Sequence, residues 1–252
     1  MCSKIVFMPL VLQSFLFWMM MACAKPQTHY PSNNTNTTAN NNNTDIAMND
    51  TGKNFSWLAL GDSYTIGQSV SEDERYPAQT VALLKADMIH VQTLQYIATT
   101  GWTTLNLLDA IAAQNPHGPF NIVTLLIGVN DQYQHFDTGS YRKNFTTCLE
   151  KAIVLAGNKK DHVFVLSIPD YSVTPFAAGS DTAEIRKELD EFNAINKAIT
   201  LSYDISYTDI TPLTQQAKYD AGLIAGDGLH PSGKEYAKWA ALLAPEIEKV
   251  LK

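Results

Sequence analysis

Apolar residues fall along this chain in two rhythms. Short, nearly uninterrupted runs of strand length occur at Trp57–Leu60, Val91–Ala98, Ile122–Ile127, Val163–Ile168 and Ile205–Tyr207. Between them, near 76–87, 103–114, 139–157 and 182–201, apolar positions recur at helical spacing. A last helix is expected from about 232, where Tyr236, Trp239, Leu243, Ile247 and Val250 share one face and Pro231 stands at the start. Ile122–Ile127 and Val163–Ile168 are almost wholly apolar, the signature of strands covered on both faces. Strand and helix in strict alternation predict an α/β fold, a three-layer α/β/α sandwich with a central five-stranded parallel sheet.

In such sheets ligands bind beyond the carboxyl ends of the strands, so the residues just past each strand carry the functional information. The first strand runs into Gly61-Asp62-Ser63, which puts a hydroxyl at the ligand edge. After the second come Thr99, Thr100, Gly101 and Trp102, and Gly101 offers a backbone N–H with no side chain in the way. The third ends in Gly128, Val129, Asn130 and Asp131, which brings a neutral amide to the same edge. Before the last helix stand Asp227 and His230, three apart in a tight turn, where a carboxylate can take the Nδ1 proton and orient the imidazole. A serine hydroxyl needs that relay, being too weak a nucleophile alone at neutral pH.

The rest of the chain narrows the setting. Lys4 followed by the apolar run Ile5–Ala22 reads as a signal segment over 1–24. Met20-Met21-Ala22-Cys23 resembles a bacterial lipoprotein box, with Met20 where a branched aliphatic is usual, and makes Cys23 a lipidation candidate. On that reading the protein is lipid-anchored at the cell envelope. Cleavage after Ala24 is the alternative, leaving a soluble periplasmic or secreted protein. Residues 25–54, rich in Asn and Thr, cannot bury enough apolar surface to order themselves and read as a flexible linker to a domain over 55–252. Past the signal only Cys23 and Cys148 remain, and Cys148 sits in a helical pattern as a small hydrophobe. With 18 Lys and Arg against 25 Asp and Glu, and no basic run, nucleic acid is not expected as a partner. No metal-ligand spacing is present, and neither metal nor cofactor is expected.

The four segments together, in this order from Gly61 to His230, resemble the SGNH (GDSL-type) serine hydrolase family, with likeness to envelope-associated bacterial members in Leu126–Asp131 and Ser167–Phe176. The resemblance implies the flavodoxin-like SGNH fold and an esterase or lipase-like acylhydrolase that cleaves carboxylic esters through an acyl-enzyme. It makes Ser63 the nucleophile, His230 the general base and Asp227 the orienting carboxylate. The oxyanion hole it implies consists of the backbone N–H of Ser63 and Gly101 and the side-chain amide of Asn130. A small-molecule, glycan or lipid ester is the expected partner. One departure is Tyr64, where the namesake motif has Leu. Asp62 is expected to brace the elbow, Asp131 is open between a surface carboxylate and a brace, and the aromatic loops near 131–138 and 169–181 are expected to set specificity.

Two other classes compete. A flavodoxin-like flavin or nucleotide binder shares the sheet, but leaves Asp227 and His230 without a role and lacks G-x-G-x-x-G. An inactive carbohydrate- or lipid-binding descendant would lack part of the catalytic set. An α/β-hydrolase requires Gly at the position of Thr65.

Overall fold

The computed structural model describes residues 54–252. The signal segment, Cys23 and the linker up to its final residue lie outside them. β1 begins at Asn54, the position where the linker was expected to end.

Five parallel strands form one sheet in the order β2-β1-β3-β4-β5. They are β1 (Asn54–Gly61), β2 (His90–Ala98), β3 (Ile122–Leu126), β4 (Val163–Leu166) and β5 (Ser206–Thr208). β3 and β4 are buried along their whole length and β1 over its second half, which is why they read as unbroken apolar runs. β2 lies at an edge and, apart from buried Ile97, mixes exposed with half-buried positions. β3 and β4 stop short of Ile127 and Ile168, which stay buried as the chain turns out of the ladder.

The connecting helices are α1 (Ser63–Ile66), α2 (Tyr76–Ala86), α3 (Thr104–Gln114), α4 (Val129–Tyr133), α5 (Thr138–Leu155), α6 (Thr182–Ser202), α7 (Thr211–Thr214) and α8 (Gly233–Leu251). α2 packs on α8 through Tyr76, Tyr236 and Trp239, whose ring centroids lie 4.9–6.4 Å apart. α5 packs on α6, with Tyr141 stacked on Phe192 at 4.4 Å. Burying each such aromatic contributes about 1.5–3 kcal/mol. α8 starts later than its proline suggested. Ser232 caps it by accepting from the Glu235 N–H, and Pro231 lies outside, bridged to Ile224. Cys148 is buried and free, and burial pushes its thiol well above the usual range. Among the described residues no helix is long and apolar enough to cross a membrane.

The strand register sets where the chain leaves the sheet. Gly61 at the end of β1 pairs with Ala98 of β2 and Leu126 of β3. Three strands therefore finish level, and the segments after them emerge side by side.

Candidate active site

β1 delivers Ser63 through a cramped turn. A Cβ on Gly61 would fall 2.1 Å from Thr65 Oγ1 and 2.4 Å from the Leu126 carbonyl oxygen, so only glycine fits. Asp62 then caps α1, its Oδ1 accepting from the Tyr64 N–H at 3.0 Å. Asp62 is fully buried and its Oδ2 has no hydrogen-bond partner among the described residues. Burial pushes its carboxyl up to about 8, against the Tyr64 N–H and assisted by the charge of Asp131. Ser63 is the first residue of α1, 4% exposed.

β2 and β3 supply the neighbouring groups. Gly101 sits in the loop after β2 with φ of 82°, and a Cβ there would meet nothing within 4 Å. Backbone conformation, not crowding, calls for glycine at this position. Asn130 lies in the first turn of α4, and its Nδ2 donates to the Trp102 carbonyl at 3.0 Å. That bond ties it to the Gly101 loop and leaves the second amide hydrogen unspent. The neighbouring Asp131 is a buried brace, not a surface carboxylate. It accepts from the N–H of Thr104 at 2.9 Å and from its hydroxyl at 2.5 Å, holding the start of α3.

The last group comes from the turn before α8. His230 Nδ1 lies 2.6 Å from Asp227 Oδ2, while Asp227 Oδ1 accepts from the N–H of Leu229 at 2.9 Å and of His230 at 3.0 Å. Partial burial opposes the charge on Asp227. Donation from Ser69 Oγ, His230 and the two backbone N–H groups outweighs it, and the carboxyl is held well below the usual carboxylate range. The turn is anchored to the aromatic loop by the Phe176 N–H, which donates to the Gly228 carbonyl at 2.9 Å.

Ser63, Gly101, Asn130 and His230 line a single cavity of about 110 Å³. Asp227 stands behind His230. Among the described residues no hydrogen bond joins Ser63 Oγ to His230. Such contacts are often long without substrate and tighten once it binds. Much of the remaining lining is apolar. Tyr133, Tyr171 and Phe176 pack against one another with centroids 6.0–6.3 Å apart, and Val129 and Leu229 complete it. Of the aromatics expected to set specificity, these three reach the cavity and Phe136 does not. Tyr171 is locked by its hydroxyl, which donates to Gln132 Oε1 at 3.0 Å, while Gln132 Nε2 donates to Glu188 at 2.6 Å.

Two further side chains reach the site. Tyr64, the departure from the namesake motif, lies with its ring 5.1 Å from that of His230 and lines the same cavity. Ser69 donates to Asp227 from a loop that no motif covers.

The sequence pattern of the GDSL-like Lipase/Acylhydrolase family matches residues 59–238, most of the chain. The chain belongs to that family. It is accordingly a carboxylic ester hydrolase of the GDSL type. Solved structures share the fold. The psychrotrophic esterase EstA from Pseudoalteromonas sp. is 16% identical with a TM-score of 0.59, over 77% of this chain and 97% of that one. A member of the lipolytic protein G-D-S-L family from Veillonella parvula is 20% identical with a TM-score of 0.57, over 77% and 96%. A variant of Axe2, an acetyl xylan esterase from Geobacillus stearothermophilus, is 19% identical with a TM-score of 0.55, over 79% and 96%. No curated protein matches the chain.

Proposed function

We propose that this GDSL hydrolase cleaves esters of compact acyl groups through an acyl-enzyme on Ser63. The observation that carries the reading is the 2.6 Å contact from His230 Nδ1 to Asp227, with His230 lining the cavity that Ser63 also lines. His230 Nε2 takes the proton of Ser63 as Oγ attacks the ester carbonyl. Asp227 keeps the opposite nitrogen protonated and stabilises the imidazolium that forms. The N–H groups of Ser63 and Gly101 and the free amide hydrogen of Asn130 receive the oxyanion, each such donor being worth about 3 kcal/mol in the transition state. His230 then returns its proton to the leaving alcohol, and water repeats the sequence to release the acid. The cavity of about 110 Å³ accommodates a short acyl chain, and the aromatic wall faces its apolar surface.

Ser63→Ala is the direct test, with p-nitrophenyl acetate hydrolysis as readout. Turnover is expected to fall by about 10⁴-fold or more while the circular dichroism spectrum stays that of the wild type. Substantial residual cleavage by the folded variant would sink the assignment.

We also infer that the domain is tethered to the cell envelope by a lipid on Cys23, the Asn/Thr-rich segment acting as spacer. The apolar run Ile5–Ala22 ending in Met20-Met21-Ala22-Cys23 supports this. Detergent-phase partition of the full chain checks it: wild type is expected in the detergent phase and Cys23→Ser in the aqueous phase. Equal partition of the two would mean that Cys23 carries no anchoring lipid.

A further inference from the structure

Loop 67–70 leaves the α1 segment that carries Ser63 and reaches two other parts of the site. Gly67 and Ser69 both have positive φ, 66° and 68°, so the chain folds back sharply after Ile66. For serine that conformation is uncommon and carries an energetic cost. It aims the side chain. Ser69 Oγ donates to Asp227 Oδ2 at 2.6 Å, across 158 residues of sequence. Beside it, Gln68 Oε1 accepts from Thr100 Oγ1 at 2.6 Å, next to Gly101.

The hydroxyl completes the surroundings of the carboxylate. Oδ1 accepts from two backbone N–H groups, and Oδ2 accepts from His230 Nδ1 and from Ser69. An ionised carboxylate has about four acceptor sites, and all are used. Rotation about its last bond is opposed from both ends.

We propose that Ser69 is a positioning residue for the hydrolysis, fixing Asp227 against His230 Nδ1 and so coupling the nucleophile's own segment to the acid–base turn. The proposal rests on the triad of Ser63, His230 and Asp227 proposed for the hydrolysis. Ser69 does not line the cavity and acts only through Asp227. Without the hydroxyl, Oδ2 keeps a single donor and the carboxylate is free to turn away from the imidazole. The ionisable groups around the pair include the phenols Tyr64, Tyr171 and Tyr236, kept neutral by burial, with Glu235 paired to Lys238 and Asp170 paired to Arg186. None of them bonds to Asp227 in place of the serine.

Ser69→Gly removes the hydroxyl while leaving the backbone free to keep its positive φ, and Ser69→Thr restores a hydroxyl. On p-nitrophenyl acetate, Ser69→Gly is expected to lose about tenfold in kcat with KM changed by no more than about twofold. Ser69→Thr should return kcat toward wild type. Equal kcat values for Ser69→Gly and wild type would overturn the proposal, as would a loss that appears in KM and not in kcat. Ser63→Ala, run alongside, separates the readings. If it is inactive while Ser69→Gly behaves as wild type, only the role of Ser69 falls; if it is active, the triad itself falls.

Discussion

The turn that carries Ser63 and the turn before α8 each present one aspartate to the site, and the two are opposites. Asp62 is 0% exposed, receives one backbone N–H on Oδ1, and leaves Oδ2 without a partner among the described residues. Its proton is held up to about 8. Asp227 is partly solvated, receives four hydrogen bonds, and stays ionised far into acid. The side chains are identical, so environment alone assigns the roles. A carboxyl stripped of water and of donors is a neutral structural group. One surrounded by donors is a fixed negative charge, which is what an imidazole needs beside it to become a base.

The largest effect expected from breaking that contrast comes from Asp227→Asn. The asparagine carbonyl would keep the N–H groups of Leu229 and His230 that Oδ1 now holds. Its NH₂ would then face His230 Nδ1, where a donor meets a donor. The imidazole must shift its proton to Nε2, the atom proposed to accept from Ser63. Loss of kcat on the order of 10⁴-fold is expected, with little change in the urea midpoint. Near-wild-type turnover in this variant would show that Asp227 does not set the tautomer.

The contrast was only half visible in the sequence. β3 and β4 could be read because strands covered on both faces carry no polar interruption, and the level ends of β1, β2 and β3 become meaningful once the sheet is parallel. Asp227 and His230 could be read because their bond closes within a single turn. Asp131 was left open because its partner, Thr104, lies 27 residues away and reaches it only when α3 and α4 emerge side by side. The role of Ser69 is hidden for the same reason on a larger scale. A serine in a loop has no local pattern, and its meaning lies in a bond across 158 residues. Tyr64 appeared as a departure from a motif, and only the fold turns its ring onto His230.

A smaller effect, on stability alone, tests the other aspartate. Asp62 has its carboxyl raised from 3.8 to about 8 by burial, so the stability it contributes is fully present below about pH 4 and is lost as pH rises through about 8. Between those limits the unfolded chain releases a proton that the folded chain retains, and stability falls by up to about 1.4 kcal/mol per pH unit from this group. Asp227 has the opposite sign: its depressed carboxyl contributes above the unfolded value near 3.8 and loses that contribution only as pH falls below it. Asp62→Asn keeps an oxygen for the Tyr64 N–H and mimics the protonated acid with a neutral amide. Urea unfolding of wild type and Asp62→Asn from pH 5 to 9 should therefore diverge in the variant's favour as pH rises, levelling off above about 8. A difference that stays constant across the range would mean that Asp62 is ionised in the folded protein, and the contrast between the two carboxylates would collapse.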